Sequence, residues 1–192
     1  MFLEAIAELI GEKKIGSDAI RVRFVGNCRA SDGKSVEEMV CSLGLKDNVQ
    51  FVGSVPHDES LREIARSQVL LLMASSQPLQ IPGKVYEYIG LRASILAVCQ
   101  DGATKNLLRL YPRARLVSPD NVSETKAAIL SLYRKSEGNC EVDQFPYEKY
   151  ERTAIAKQVA DLLVMGDWRV RKMESRAGGS DRAGIVEREM GG

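Results

Sequence analysis

The chain of 192 residues is long enough to bury one sizeable core without disulfides or metals, and too short for most two-domain enzymes. Its composition is that of an ordinary globular protein, with 44% apolar and 28% charged residues. Basic and acidic side chains number 27 and 26, for a net charge of +1, which argues against a general electrostatic grip on nucleic acid.

Phe2, Leu3, Ile6, Leu9 and Ile10 recur at helical spacing up to Gly11, so a helix is expected from the first residue. A domain that opens in mid-helix suggests that something precedes it. Arg21 to Gly26 reads as a strand closed by glycine. Ser35 and Glu38 then form a capping box ahead of Val36, Met39, Val40 and Leu43. Asn48 to Gly53 is the next strand, and Asp58 caps a helix whose buried stripe is Leu61, Ile64 and Ala65. Val69 to Ala74 is a continuous apolar strand of the kind covered on both faces. A polar loop, Ser75 to Pro82, leads to a helix over about Gly83 to Leu91. Ser94 to Cys99 is a second fully buried strand, followed by a short helix over about Thr104 to Leu110. Arg115 to Val117 is the last strand, and Asn121 with Glu124 caps a helix carrying Val122, Ile129 and Leu132. A long helix is expected over about Tyr147 to Met165, and a solvated, disordered tail from Trp168 to Gly192.

Strands alternating with helices, two of them apolar throughout, predict an α/β domain over residues 1–167: a Rossmann-like parallel sheet with helices on both faces. Ligands bind such sheets at the carboxyl ends of the strands, so the loops to examine are 27–34, 54–58, 75–84 and 100–104. No apolar run approaches the roughly 20 residues of a membrane span, and the acidic start is no signal peptide. The cysteines Cys28, Cys41, Cys99 and Cys140 are scattered, with no Cys-x-x-Cys and a single histidine, and read as reduced thiols of a cytoplasmic protein. No metal is expected. Dinucleotide, Walker and Gly-x-Ser-x-Gly motifs are absent from the sequence.

The stretch from Asn48 to Ala97 carries a more specific pattern: Phe51-Val-Gly-Ser-Val-Pro56, an apolar strand, a polar loop, Lys84-Val-Tyr-Glu-Tyr88 and the turn Leu91-Arg-Ala-Ser94. In order and spacing it resembles the C-terminal, donor-binding domain of GT-B glycosyltransferases of the family-4 type, and the resemblance extends over about residues 1–165. It implies one half of a GT-B fold, a retaining sugar transfer from a nucleotide sugar of the UDP or GDP type to a glycan or lipid-linked acceptor, and no further cofactor. It also implies an acceptor-binding N-terminal domain, absent from this chain, and a full enzyme associated peripherally with the inner face of the membrane. Bacterial relatives commonly build cell-surface polysaccharides.

Each part of a nucleotide sugar asks for a different group. A ribose diol is well held by one carboxylate, and the resemblance points to Glu87; the plain alternative is a solvent-facing acid on an amphipathic helix. A diphosphate is suited to helix N-termini and cations, which brings in Gly83, Lys84 and Gly102, although exposed lysines at helix starts are commonplace. The base would lie against Val55 and Pro56, and Gly26 and Asn27 would be close to the ligand unless Gly26 only ends a strand. His57 beside Asp58 fits a capping or surface role better than that of a base.

Two positions depart from the family pattern. Where many relatives place a glutamate on the donor sugar this chain has Leu79, with Gln80 beside it as a neutral hydrogen-bonder. The strand and basic loop that precede the first helix in the family are also missing, so the chain alone is expected to be inactive or nearly so. Competing readings are a non-catalytic nucleotide-binding module that works with a separate partner domain, and an interaction domain of flavodoxin-like topology without sugar chemistry.

Overall fold

The computed structural model describes residues 1–31, 33–74, 78–135 and 145–151, together with 153–154, 156–157 and 160–161. The chain divides into two compact units, Met1–Tyr147 and Glu148–Gly192. In the first, helix α1 (Phe2–Gly11) is followed by strand β1 (Val22–Val25), a short hairpin of β2 (Ala30–Ser31) and β3 (Lys34–Ser35), and helix α2 (Val36–Ser42). Strand β4 (Val49–Gly53), helix α3 (His57–Arg66), strand β5 (Val69–Ala74) and helix α4 (Gly83–Gly90) come next. Strand β6 (Ser94–Cys99), helix α5 (Ala103–Arg109), strand β7 (Ala114–Val117) and helix α6 (Val122–Lys135) complete the alternation. A 3-10 turn spans Tyr147–Tyr150, where the sequence pattern predicts the start of a long helix. In the second unit the described residues among 153–161 are helical; the predicted end of that helix and the predicted disordered tail lie outside the described residues.

The architecture is α/β and Rossmann-like, with its parallel strands in two sheets. β1 pairs with β4 in parallel, and β5, β6 and β7 form a second parallel sheet in that order. One core serves both. Leu3, Ala5, Ile6 and Leu9 of α1 pack with Val40 of α2, Leu96 and Val98 of β6, Val117 of β7, and Ile129 and Leu132 of α6. Val22 and Phe24 of β1, Val49 and Phe51 of β4, and Leu71 of β5 close on the same cluster. Because strand side chains alternate between faces, Ile95, Ala97 and Cys99 of β6 lie on the opposite face, buried like Val85, Tyr88 and Ile89 of α4 and Leu108 of α5. Burying several such side chains, at about 1.5–3 kcal/mol each, is what holds the β6 region.

Two expectations are corrected. β5 is not covered on both faces: it ends its sheet, and Val69 and Met73 are 37% and 58% exposed although Leu70 and Leu72 are buried. The stripe on α3 is not a buried one either, since no residue of that helix is fully buried and Ala65 is exposed. α3 also starts one residue before Asp58, with Pro56 at the cap and no side-chain cap bond. Asp58 and Glu59 instead stand in the first turn, where negative charge complements the helix dipole. It is further held by Arg23 of β1, which meets Glu63 at 2.9 Å.

The predicted caps of α2 and α6 are in place: the Glu38 N–H donates to Ser35 Oγ (3.2 Å) and the Glu124 N–H to Asn121 Oδ1 (2.9 Å). Among the described residues Cys28, Cys41 and Cys99 are free thiols, and no helix is long and apolar enough to cross a membrane.

Candidate functional site

Parallel register sets the carboxyl ends of the strands side by side within each sheet: Val25 beside Gly53 in one, Ala74 beside Cys99 in the other. The sequence-predicted residues fall on the loops that leave these ends, in two groups.

The first group follows β1 and β4. Here the chain turns sharply at both strands, with φ of 108° at Gly26 and 76° at Gly53, and the Gly26 N–H donates to the Gly53 carbonyl at 2.6 Å. Both torsions lie in the region that disfavours residues with a Cβ. Gly26 thus does more than end a strand, since it pins the β1 exit to the β4 exit. Asn27 is exposed, Val55 is half-buried and Pro56 is exposed at the cap of α3. His57 is the exposed first residue of α3.

The hairpin β2–β3 rises in the loop that the sequence analysis marks only as a loop to examine. Its signal was available in the sequence, where an Asp-Gly pair favours a hairpin turn, and Gly33 has φ 74°. Just ahead of the hairpin stands Arg29, whose guanidinium lies 5.8 Å from the Phe51 ring centroid and pairs with Glu37. Phe51 in turn stacks on Phe24 at 5.4 Å.

The second group follows β5 and β6. Pro78 and Gln80 are fastened to the start of α5: the Ala103 N–H donates to the Pro78 carbonyl (2.7 Å) and the buried Thr104 Oγ1 to the Gln80 carbonyl (2.9 Å). Gly102 makes this approach possible, because a Cβ there would sit 2.3 Å from the Pro78 oxygen. The structure therefore brings Gln80 and Gly102 together, with the Ala103 N–H at that helix end already bonded to protein. Sequence reasoning missed the parts of Pro78 and Thr104 in this contact; nothing local in either marks it.

On α4 the buried stripe is Val85, Tyr88 and Ile89. At 100° per residue this turns Gly83, Lys84 and Glu87 toward the other side of the helix. Lys84 is exposed and has no ion pair among the described residues, whereas Glu87 is half-buried. The Val85 N–H bonds back to Pro82 (2.9 Å), so the first-turn N–H groups of Gly83 and Lys84 are those without a helical partner. Burial pushes the Tyr88 hydroxyl above its usual pKa, and the neighbouring Glu87 carboxylate adds to it.

Charge at this edge is partly neutralised. Asp101 holds Lys105 at 3.0 Å with Arg109 at 3.6 Å, and the Lys105 bond keeps its carboxyl below the usual carboxylate range. Burial pushes the Cys99 thiol up. Leu79 is 92% exposed at the tip of the β5–α4 connection.

A concavity of about 390 Å³ opens at the other end of the first sheet, lined by Ser17, Asp18, Arg21, Asp47 and Asn48 ahead of β1 and β4. Asn48 is buried there and its amide donates to the carbonyls of Ser17 (2.7 Å) and Ile20 (3.0 Å). It serves the fold at that place.

A family model described as glycosyl transferases group 1 matches residues 1–135, more than two thirds of the chain. The chain belongs to the glycosyl transferases group 1 family. The match spans all of the elements from α1 to α6, so both groups of loops in this glycosyltransferase domain lie inside it. No curated protein matches the chain. Among the described residues there is no cluster of three or more metal-ligating side chains.

Proposed function

We propose that this domain is the donor-binding half of a retaining glycosyltransferase and holds a nucleoside diphosphate sugar, of the UDP or GDP type, along the carboxyl ends of its strands. The single observation that carries the reading is the outward face of α4 in a group 1 glycosyltransferase domain: two first-turn N–H groups without a helical partner, an exposed cation at Lys84 and the half-buried carboxylate of Glu87 one turn on. A helix N-terminus with a cation suits a diphosphate, and a carboxylate one turn away suits the two hydroxyls of a ribose. Val55 and Pro56 flank the base, Gly26 and Asn27 approach the ligand from the first sheet, and Gln80 and Gly102 stand toward the sugar and phosphates. The acceptor is held by a separate N-terminal domain, in an enzyme that works in the cytoplasm at the inner face of the membrane. No metal takes part.

The test is a thermal-shift panel of UDP, GDP, ADP and their sugars on the chain and on Glu87→Ala. A ligand at 100 times its Kd stabilises by about 2.7 kcal/mol, so one nucleotide class is expected to raise Tm by several degrees. Glu87→Ala is expected to lose most of that rise while melting like the parent without ligand. Equal shifts in both proteins would remove Glu87 from the ribose site, and no shift with any nucleotide would leave only the family and the fold.

A further inference from the structure

We propose that Phe145 and Tyr147 latch the carboxyl end of α4 through Arg92, and that Arg92 is thereby a positioning residue for the donor carboxylate Glu87. The role of Glu87 in this rests on the donor-binding reading given above. Helix α4 ends in a Schellman turn: the Arg92 N–H donates to the Ile89 carbonyl (2.9 Å) and the Ala93 N–H to that of Tyr88 (3.0 Å). The residue past the cap of such a turn is left-handed and is usually glycine. Here it is Arg92, with φ of 53°, and among the described residues Lys13 is the only other non-glycine with a positive φ. A side chain kept where glycine would relieve strain asks for a reason beyond the turn.

The surroundings of Arg92 supply that reason. Its guanidinium carbon lies 4.7 Å from the centroid of the Tyr147 ring, and its carbonyl accepts from Arg113 Nη1 at 2.9 Å. Tyr147 meets Phe145 edge to face with 5.1 Å between centroids, and Phe145 meets the buried Tyr111 in the same way at 5.1 Å. The Tyr111 hydroxyl donates to the Ala93 carbonyl at 2.8 Å, so the three rings close back on the same turn. Both residues that follow the cap are thus held from outside the helix, Arg92 by Arg113 and Tyr147, Ala93 by Tyr111. Phe145 and Tyr147 lie past the residues that match the family.

Latch and donor groups stand at opposite ends of one short helix. α4 starts after the carboxyl end of β5, with Gly83 and Lys84, and returns to the amino end of β6, with Arg92 and Ala93. Its eight residues make a rod of about 12 Å, so a shift at one end is felt at the other. Glu87 is tied to the latched end directly, since its carbonyl accepts the Leu91 N–H at 3.0 Å. Burial of Val85, Tyr88 and Ile89 decides which face turns outward, but apolar packing is non-directional, and directed contacts at the end fix how far the helix is turned and advanced. An exposed cation over a ring is worth only a few-fold in an equilibrium. That magnitude suits the tuning of an affinity, because an open latch lowers the share of molecules with Glu87 in place and raises the apparent Kd in proportion.

The test compares the 192-residue chain with Arg92→Gly, Tyr147→Ala and Tyr147→Phe, by calorimetric titration with UDP and with GDP and by amide hydrogen exchange over residues 83–93. Arg92→Gly removes the cation and relieves the left-handed backbone at once, so without ligand it is expected to melt within about 2 °C of the parent. Its affinity for nucleotide is nevertheless expected to fall about two- to fivefold, with faster exchange across α4. Tyr147→Ala is expected to lose at least as much, and Tyr147→Phe, which keeps the ring under the cation, to match the parent. A purely structural Arg92 gives the other split, with affinity and exchange in Arg92→Gly equal to those of the parent. Unchanged exchange in α4 overturns the latch, and unchanged affinity beside faster exchange overturns the positioning of Glu87. A loss in Tyr147→Phe as large as that in Tyr147→Ala overturns the part of the cation over the ring. If the parent binds neither UDP nor GDP, the donor-binding reading falls and takes the positioning of Glu87 with it, while the exchange rates still decide the latch.

Discussion

A Cβ at position 102 would meet the Pro78 carbonyl oxygen, Cα and carbonyl carbon at 2.3, 2.8 and 2.9 Å, and all three are backbone atoms with little room to move. Gly102→Ala is therefore expected to push the loop of Pro78 and Gln80 off the start of α5 and to break the Ala103 and Thr104 hydrogen bonds that hold it. Overpacking of this kind costs about 1–3 kcal/mol, which a urea titration reads as a lower midpoint at unchanged slope. A variant as stable as the parent would mean that the loop shifts freely. Gly53 makes a different demand. Nothing lies within 4 Å of a Cβ there, but φ is 76°, so Gly53→Ala is expected to lose about 1–2 kcal/mol through backbone strain alone. Sequence reading marked Gly102 for a place beside phosphate, and a glycine before a helix does look like that. The reason it must be glycine is Pro78, which is distant in sequence and joined to it only by the fold.

At the level of elements, α6 is fastened to α1 by one cation between two carboxylates. Lys126 Nζ lies 2.7 Å from Glu8 and is also bonded to Glu12, which Lys14 meets at 2.8 Å. The Lys126 hydrogen bond, then that of Lys14, holds the Glu12 carboxyl at about 2 against its ordinary 4.5, and the two carboxylates raise the Lys126 ammonium above 10.5. The signs follow. Glu12 is depressed in the folded chain, so its contribution is complete above about 4.5 and is lost as pH falls toward 2; that of Lys126 is complete below 10.5 and is lost as pH rises through the raised value. Thermal melts between pH 5 and pH 2 are expected to fall less steeply for Lys126→Met than for the parent. Because the groups face solvent, the difference is expected to shrink at high salt. Identical acid slopes would show that the clamp contributes nothing. Elements were largely legible because periodicity and caps are local: β5 and β6 begin and end where their apolar runs do, and Ser35 and Asn121 cap as their spacing requires. What was not legible depends on neighbours. A run such as Val69 to Ala74 reads as covered on both faces whether or not a second strand stands beside it, and the stripe on α3 cannot reveal that the sheet beneath it has only two strands.

For the molecule as a whole, the consequence of a single α/β unit over residues 1–147 is kinetic. A sugar transfer joins a donor and an acceptor, and holding both in register is worth about 7–11 kcal/mol of barrier, an effective molarity of 10⁵ M or more. In the proposed reading the donor lies on the outward face of α4, and the acceptor is held by residues other than the carboxyl-end loops of the described unit. Binding and transfer are therefore expected to separate. The purified chain, incubated with the nucleotide sugar that stabilises it best and with lipid-linked or glycan acceptors, should release nucleoside diphosphate no faster than solvent hydrolysis, by chromatography of the nucleotide product. Lys84→Met should then weaken donor binding without altering that background, since in the proposed reading the cation serves the bound diphosphate and not a transfer step. Release at rates of order 1 s⁻¹, within the ordinary enzymatic range, would overturn the separation and would require acceptor positioning within the 192 residues. The exposed Leu79 tip beside Gln80 would be the first place to look for it, because it is the most exposed large apolar side chain on the loops that leave the second sheet.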